Sequence, residues 1–329
     1  MMQSDRGARR RWMLAAAGAP LAWRHHGARA QEQYPSRAVR VVVPFAPGGA
    51  ADTYARVLGK AASEILGQPL VVENKPGAGT VIGTEAVVRA KPDGYTLLVT
   101  SAPLVTNPGL LSKMPYDALK DLAPIIQFSA TGFVVSVNER QPYRRFADLV
   151  AAARAADTPY ASPGNGTLMH LVGQLANSEL GTRFIHVPYR GSAPALQDAM
   201  SGQIGVIIDP ASTSMPGIQQ GRLRPLAVTD PKRLPALPDV PTMRELGYPK
   251  LEAIAFGGLF APAGTPAPVV ATVNRAFNQA MRQPEVRETF EVKLQTALVG
   301  GTPEAFASFL LDETNRWVPL IRRLGLKSD

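Results

Sequence analysis

The chain has 329 residues, more than one compact hydrophobic core usually supports, and this length suits two α/β lobes. Its hydrophobic fraction of 45% and charged fraction of 19% are typical of a soluble globular protein. The net charge is +9, but residues 1–30 hold six arginines against one aspartate, and the rest carries only a scattered +4. Without a basic stripe we expect no nucleic-acid partner. The absence of cysteine excludes disulfides, thiolate catalysis and zinc–thiolate sites, and four histidines are too few for a histidine-rich metal site.

The N-terminus has the three parts of a secretory signal. The basic stretch Arg9–Arg11 precedes the apolar segment Trp12–Trp23, and small residues at Ala28–Ala30 form a cleavage site before Gln31. The apolar segment is too short to cross a bilayer. Residues 1–30 are therefore predicted to be a signal peptide and the mature protein to be periplasmic and soluble. The adjacent arginines also resemble a twin-arginine signal, so the export route stays open, and a disordered basic tail is the alternative.

Strands and helices alternate in the first part of the mature chain, which predicts parallel strands joined by right-handed crossovers. The predicted elements are a strand over 39–45, a helix over Thr53–Leu66, a strand over Leu70–Glu73, a helix over Val81–Ala90 and a strand over Tyr95–Thr100. A long β-branched run follows at Ile125–Val137, interrupted at Ser129–Gly132, and we expect it to cross from one lobe to the other.

The second part repeats the same alternation. The predicted elements are a helix over Phe146–Ala156, a strand over Pro159–Ser162, a helix over Leu168–Leu180, a strand over Phe184–Val187, a helix over Ala193–Ser201, strands over Ile204–Ile208 and Leu223–Thr229, a proline-rich surface loop over Leu234–Pro241, a strand over Phe256–Ala261, and helices over Pro266–Met281 and Pro303–Leu324. We expect lobe 1 to comprise residues 31–126 and 227–329, and lobe 2 residues 127–226. A small ligand is expected in the cleft between them.

Three glycine-rich loops follow predicted strands and precede predicted helices: Pro44–Asp52, Lys75–Gly83 and Ala161–Thr167. A loop of this kind points free backbone N–H groups outward at the positive end of a helix dipole. Such a crevice binds a small anion without needing a charged side chain.

Two other interpretations of these loops are weaker. Gly77, Gly79 and Gly83 approach the dinucleotide fingerprint, but the next strand ends at Thr100 and Ser101 without the acid that would hold a ribose. Ser162 and His170 suggest a nucleophile and a base, but no G-x-S-x-G elbow is present. We expect Ser162 to offer a hydroxyl to a ligand or to cap a helix, and His170 to face the core or the cleft edge.

Two polar features remain. Asp52, in the first turn of its helix, is expected to cap the helix or complement its dipole. The polar residues between Thr100 and Pro108 either orient a ligand or form a solvated turn, and the sequence alone leaves both open.

Taken in order, several motifs resemble the periplasmic solute receptors of tripartite tricarboxylate transporters, also called the Bordetella uptake gene (Bug) family. The resemblance spans nearly the whole mature chain. It is carried by Tyr34–Pro35, Val43–Gly49, Val72–Gly79, Lys91–Leu97, Ala161–Gly164, Val187–Gly191 and Pro238–Thr242.

This resemblance implies an α/β fold of the type II periplasmic-binding-protein kind, with two βα lobes joined by crossing hinge strands. It also implies a ligand carboxylate gripped through backbone N–H groups and bridging waters. Carried over, the ligand-binding residues are Phe45, Gly49, Ala50, Ala51, Gly79, Thr80, Ser101, Asn107, Ser162, Pro163, Gly164 and Asp209. No catalytic residue, metal or cofactor is expected; the partners are a small organic acid and membrane permease subunits, and we expect a monomer.

The chain departs from the family pattern around the expected cleft. Ala50-Ala51 stands where Ser-Thr is usual, Thr80 replaces a second glycine, Phe256 replaces a tryptophan, and Gly205 replaces an acid. These changes leave the identity of the ligand open. Two alternatives also remain: an exported hydrolase or transferase that uses a cleft serine, and a sensory receptor for a membrane signalling partner.

Overall fold

The computed structural model describes residues 34–327, so the predicted signal peptide lies outside the described residues. The strands are β1 Val39–Val43, β2 Leu70–Asn74, β3 Thr96–Ser101, β4 Leu122–Asn138, β5 Thr158–Ser162, β6 Phe184–Pro188, β7 Val206–Pro210, β8 Leu223–Val228, β9 Ile254–Pro262 and β10 Ala297–Leu298. The helices are α1 Ala50–Leu66, α2 Val81–Val88, α3 Pro103–Leu110, α4 Phe146–Ala155, α5 Leu168–Leu180, α6 Ser192–Ser201, α7 Ala211–Gln219, α8 Ala267–Ala280, α9 Pro284–Arg287 and α10 Pro303–Arg323. Every predicted strand and helix is present, with shifted ends.

Helix α1 illustrates how local sequence sets these ends. It begins at Ala50, three residues before its predicted start, because the Asp52 carboxylate accepts the Gly48 N–H at 2.9 Å and stabilises the first turn from within. Its apolar face buries Leu58 and Ala62. It ends at Gly67, whose φ of 70° is the left-handed conformation that glycine adopts without strain.

The strands form a mixed sheet, within which the parallel pairing predicted for the first part of the chain is confirmed. Strands β1, β2 and β3 pair in parallel, as do β5, β6 and β7. Strand β9 is antiparallel to β3 and β4, and β4 is also antiparallel to β7, β8 and β10. The strand order is β2-β1-β3-β9-β4-β7-β5-β6, with β8 and β10 attached to β4.

Strand β4 belongs to both halves of this arrangement. Residues 122–132 pair with β9, whereas residues 133–138 pair with β7 and β8. It is one continuous strand, in which the residues that interrupt the apolar run, Ser129–Gly132, are also paired with β9. Shifts in the β4–β9 register next to Ile126 and Ser129 let the ladder continue through these polar positions.

Three helices were not predicted from the sequence: the four-residue α9, and α3 and α7, each of which contains an internal proline and glycine. The polar stretch after β3 forms α3, and its Thr106 and Asn107 are buried, so the solvated-turn alternative is wrong. The second missed helix is α7, which holds Pro216 and Gly217. The predicted proline-rich surface loop is also partly wrong, because Leu237 and Val240 pack into a buried cluster with β8 and α7.

Candidate functional site

A cavity of about 380 Å³ lies where the β1–α1 loop faces β4, β9 and the start of α7. It is lined by Phe45, Gly49, Ala50, Ala51, Tyr54, Thr100, Ser101, Phe128, Ser129, Thr131, Phe133, Pro210, Ser212, Thr213, Ala255, Phe256, Gly257 and Thr296. Of the predicted binding residues it brings together Phe45, Gly49, Ala50, Ala51 and Ser101. The others lie outside this lining: Gly79, Thr80, Asn107, Ser162, Pro163, Gly164 and Asp209.

The N-terminus of α1 supplies the positive end of the cavity. Gly49 is the N-cap residue and has no side chain to cap the helix. The N–H groups of Ala50 and Ala51, in the first turn, therefore have no intrahelical acceptor. Both residues line the cavity and carry only methyl side chains, so an anion can approach their backbone.

Asp52 fixes this loop rather than acting as a catalytic acid. Its buried carboxylate accepts the Gly48 N–H, Arg56 Nε at 3.0 Å and Asn74 Nδ2 at 2.9 Å. The hydrogen bond from Arg56 is the main reason that the pKa of Asp52 falls to about 2, so the group stays ionised. Asn74 Nδ2 also donates to the Phe45 carbonyl at 3.1 Å, which ties the loop to β2. Of the two expected roles of Asp52, the complement to the helix dipole is the one observed, because the ionised carboxylate lies in the first turn of α1 and makes no side-chain cap hydrogen bond.

The second glycine loop forms a strained turn before α2. Gly77, Ala78, Gly79 and Thr80 all have positive φ, at 137°, 44°, 59° and 84°. Such values are costly for alanine and still more so for a β-branched threonine, and strain of this kind clusters at functional sites. Asn107 Nδ2 donates to the Gly79 carbonyl at 2.8 Å and holds the turn in place.

The polar atoms of this turn differ in their availability. The Thr80 N–H is donated to the Gly77 carbonyl at 3.0 Å, and Thr80 Oγ1 is buried with no partner among the described residues. The exposed Gly79 offers its N–H. Gly83 serves packing, since a Cβ there would lie 2.5 Å from the Lys75 carbonyl oxygen. The glycine spacing that approaches a dinucleotide motif is thus explained by backbone conformation and close packing.

The third glycine loop is anchored by a pair of histidines. Ser162 Oγ is fully buried and lies 2.7 Å from His186 Nε2. The His186 ring stacks on His170, with centroids 3.8 Å apart, and His170 Nδ1 accepts the Gly166 N–H at 3.1 Å. The histidine beside Ser162 is therefore His186 rather than His170. His170 is in the core, one of its two expected positions.

These groups form a structural cluster and not a nucleophile–base pair. Burial lowers the pKa of His186 to about 4, and burial together with the neighbouring His186 lowers that of His170 to about 4. Both are thus neutral at pH 7. Among the described residues no carboxylate hydrogen-bonds to either ring, so nothing orients the imidazole as a general base requires.

Asp209 lies behind the cavity wall. Its buried carboxylate accepts hydrogen bonds from Ser192 Oγ, at 2.5 Å, and from Thr213 Oγ1. Burial raises the pKa of Asp209 to about 6. Since Thr213 lines the cavity, Asp209 orients the first turn of α7 without lining the cavity itself.

The aromatic end of the cavity was not found from the sequence. Tyr54 packs edge-on to Phe128, with centroids 6.1 Å apart, and stacks on Phe290 at 5.0 Å. Its hydroxyl lies 2.9 Å from Thr296 Oγ1, which in turn accepts from Thr131 Oγ1 at 3.3 Å. Of these residues only Tyr54 could have been predicted from the sequence. It follows Ala51 by three residues and Ala50 by four, so it lies on the same face of the helix as both.

No charged side chain lines this cavity among the residues described. Within residues 34–327 there is likewise no cluster of three or more His, Cys, Asp or Glu that would hold a metal ion. None of the helices described there is long and apolar enough to span a bilayer. Two surface grooves of about 480 and 450 Å³ border α10, and no residue of the three glycine loops lines them.

Comparison with known proteins places this architecture in a family. Residues 54–326 match the family described as the tripartite tricarboxylate transporter family receptor, TctC. Protein BugT of Bordetella pertussis is 36% identical over 300 residues, which cover 90% of this chain and 92% of BugT.

Two solved structures share the fold. MatC (Rpa3494) from Rhodopseudomonas palustris with bound malate is 32% identical, with a TM-score of 0.70 over 88% of this chain and 100% of that one. R. palustris Rpa4515 with adipate is 31% identical, with a TM-score of 0.73 over 90% and 100%. The expected α/β fold of periplasmic binding proteins is confirmed, and the chain belongs to the receptor family of tripartite tricarboxylate transporters.

Proposed function

We propose that this protein is a periplasmic receptor that captures one small carboxylate in the 380 Å³ cavity and delivers it to the membrane permease of a tripartite tricarboxylate transporter. The observation that carries the proposal is the N-terminus of α1. The N–H groups of Ala50 and Ala51 reach a cavity whose described lining holds no cationic side chain. Backbone donors at a helix N-terminus bind anions, and hydrogen bonds to an ionised group are the stronger ones.

Related proteins support this assignment. MatC holds malate and Rpa4515 holds adipate, and both share the fold of this chain at more than 30% identity. Both ligands are small carboxylates. Residues 1–30 act as the cleaved export signal that brings the receptor to the periplasm, where the family's binding proteins work.

The predicted binding residues divide by position. Phe45, Gly49, Ala50, Ala51 and Ser101 contact the ligand from the cavity wall. Gly79 offers a further N–H from the strained turn. The remaining predicted residues do not contact the ligand but hold the parts of the structure around it. Thr80 and Asn107 hold the strained turn, Ser162, Pro163 and Gly164 form the third loop, and Asp209 holds the start of α7.

Ligand capture involves closure of two lobes, 31–126 with 227–329 against 127–226. Support comes from β4, which pairs with β9 on one side of Gly132 and with β7 and β8 on the other. A strand shared between two sets of strands can bend at such a point while each set stays rigid. Small-angle scattering would then detect a more compact particle with ligand than without.

A matched acid and amide test the function directly. 4-Methylbenzoate and 4-methylbenzamide have nearly the same shape, but only the acid is ionised at pH 7.5. Thermal unfolding with each compound should show a rise in Tm for the acid alone, because a ligand of the folded state stabilises it by mass action. Equal shifts would contradict carboxylate capture.

The same samples address the alternative of an exported hydrolase or transferase. The buried Ser162 and its unoriented histidine partner argue against it. Incubation with ester and amide substrates should give no turnover, and measurable hydrolysis that disappears in Ser162→Ala would favour the enzyme instead.

A further inference from the structure

We propose that three residues in a row across the sheet, Ser101, Gly257 and Ser129, bind a hydroxyl group of the ligand, so that the receptor prefers hydroxylated carboxylates to those with a plain hydrocarbon body. This inference rests on the proposed carboxylate receptor function and names the ligand class. It concerns the part of the cavity wall that the sheet supplies, and it is separate from the first turns of α1 and α7, which also line the cavity.

The three residues lie side by side on neighbouring strands. Ser101 of β3 is opposite Gly257 of β9, and Gly257 is in turn opposite Ser129 of β4. All three line the cavity. Residues directly opposite each other in a sheet point to the same face, and neighbouring strands are about 5 Å apart. The two serine side chains therefore flank a position, above Gly257, that holds no side chain.

The glycine keeps this position open. A Cβ atom at residue 257 would lie 2.4 Å from Ser129 Oγ and 2.3 Å from Cε2 of the Phe128 ring, which is closer than such atoms approach. The φ of Gly257 is not in the positive range, so the backbone conformation does not require glycine there. The Ser129 hydroxyl thus leans over Gly257 beside an aromatic ring, and any side chain at residue 257 would cover it.

The hydroxyl groups of Ser101 and Ser129 are free to bind a ligand. Neither Oγ atom makes a hydrogen bond within residues 34–327, although Ser129 is only 2% exposed. The other hydroxyls of the lining are bonded to protein groups, sealed from the cavity or exposed to bulk water: Tyr54, Thr131, Thr213 and Thr296 are bonded, Thr100 is sealed and Ser212 is exposed. The two serines are therefore the hydroxyls that the folded protein leaves for a ligand.

A ligand group placed over Gly257 removes these hydroxyls from water. An apolar group offers no replacement and leaves the buried Ser129 hydroxyl unpaired, which costs affinity. A ligand hydroxyl both donates and accepts, so it pairs with Ser129 or Ser101 and removes this cost. Sites that bond a hydroxyl of their ligand discriminate against analogues that lack it for the same reason.

Isothermal titration calorimetry of the full-length protein at pH 7.5 tests this preference with two matched pairs. 3-Hydroxybenzoate is compared with 3-methylbenzoate, and 4-hydroxybenzoate with 4-methylbenzoate, because a hydroxyl and a methyl group are similar in size. The rings of Phe45, Phe128 and Phe256 in the lining suit a benzoate body. At least one hydroxybenzoate should bind about tenfold more tightly than its methyl counterpart.

Two serine variants separate ligand recognition from folding. Ser129→Ala and Ser136→Ala each remove a buried, unpartnered hydroxyl from β4, but Ser136 does not line the cavity. Ser129→Ala should weaken binding of the preferred hydroxybenzoate by at least fivefold without weakening its methyl counterpart, so that most of the preference disappears. Ser136→Ala should change neither affinity, and circular dichroism verifies that both variants fold.

Each outcome has a separate meaning. Equal affinities within both pairs, or failure of both hydroxybenzoates to bind, overturn the inference. A preference that persists in folded Ser129→Ala, or that Ser136→Ala removes as well, also overturns it, because the row would not then be its source. If the preferred hydroxybenzoate binds no more tightly than the corresponding hydroxybenzamide, the proposed carboxylate function fails instead.

Discussion

Asp230→Asn should stabilise the protein at high pH, because Asp230 is a buried carboxylate with one unsatisfied oxygen. Its Oδ1 accepts the Gly132 N–H at 2.8 Å, at the point where β4 changes partners. Its Oδ2 has no hydrogen-bond partner among the described residues. Burial consequently raises the pKa of Asp230 from 3.8 to about 6.

The sign and size of the effect follow from proton linkage. Between pH 3.8 and 6 the folded state binds more protons at Asp230 than the unfolded state does, so stability falls as pH rises through this window. A shift of about 2 pKa units corresponds to roughly 3 kcal/mol above pH 7. Asparagine keeps the oxygen for Gly132 but leaves two unpaired N–H donors, one more than a protonated carboxyl has, and the extra donor costs about 1 kcal/mol. The variant should be more stable than wild type by about 2 kcal/mol at pH 8, with no gain near pH 4.

Urea unfolding followed by circular dichroism measures this difference at both pH values. Asp52→Asn is the matched control of opposite sign, because the pKa of Asp52 is lowered to about 2, so its stabilisation is present above pH 3.8 and is lost as pH falls. That variant should be less stable by about 2 kcal/mol at pH 8, with a smaller loss near pH 3. A stability change for Asp230→Asn that is the same at pH 4 and pH 8 would refute the reasoning.

Three further changes test the loops around the cavity. Asn107→Ala removes the donor to the Gly79 carbonyl and should weaken 4-methylbenzoate binding by about fivefold in calorimetry, since one such bond contributes about 1 kcal/mol. Thr80→Gly relieves a φ of 84° and a buried unpaired hydroxyl, and should raise Tm by about 2 °C. His170 has a pKa lowered to about 4, so its contribution to stability falls as pH drops from 6.5 towards 4; urea unfolding should show the gap between wild type and His170→Asn narrowing by about 2 kcal/mol from pH 7 to pH 5.

Each of these three predictions has an outcome that would contradict it. Affinity unchanged in Asn107→Ala would mean that the strained turn does not need its anchor to support binding. A lower Tm for Thr80→Gly would mean that the lost side-chain packing outweighs the relieved strain. A constant stability gap for His170→Asn would mean that the histidine titrates normally in the folded protein.

The fold was predictable because its elements are locally encoded. β-Branched runs at Val39–Val43 and Ile204–Ile208 and the glycine that ends α1 each predict their own structure. The antiparallel strands β4 and β9 were identified as strands, but their direction depends on distant pairing that no local pattern encodes. The helices α3 and α7 were missed because tertiary packing stabilises them despite Pro108 and Pro216.

The candidate site was predictable only on its backbone side. The glycine at Gly79 reflects a φ of 59°, which glycine adopts without strain, whereas Gly49 has an extended backbone and matters only because it carries no side chain. The aromatic end joins Tyr54, Phe128 and Thr296. Phe128 lies 74 residues after Tyr54, and Thr296 lies 168 residues after Phe128, so only the folded structure brings them together. The contact between Ser162 and His186 was not predicted for the same reason, since His186 lies on the neighbouring strand β6 and not on the following helix.

A crystal structure of the protein with 4-methylbenzoate would test carboxylate capture by the α1 N-terminus most directly. We expect the carboxylate oxygens about 3 Å from the backbone nitrogens of Ala50 and Ala51, and the ring against Tyr54 and Phe128. A carboxylate held instead by an arginine or lysine side chain, or a ligand bound outside this cavity, would contradict the account.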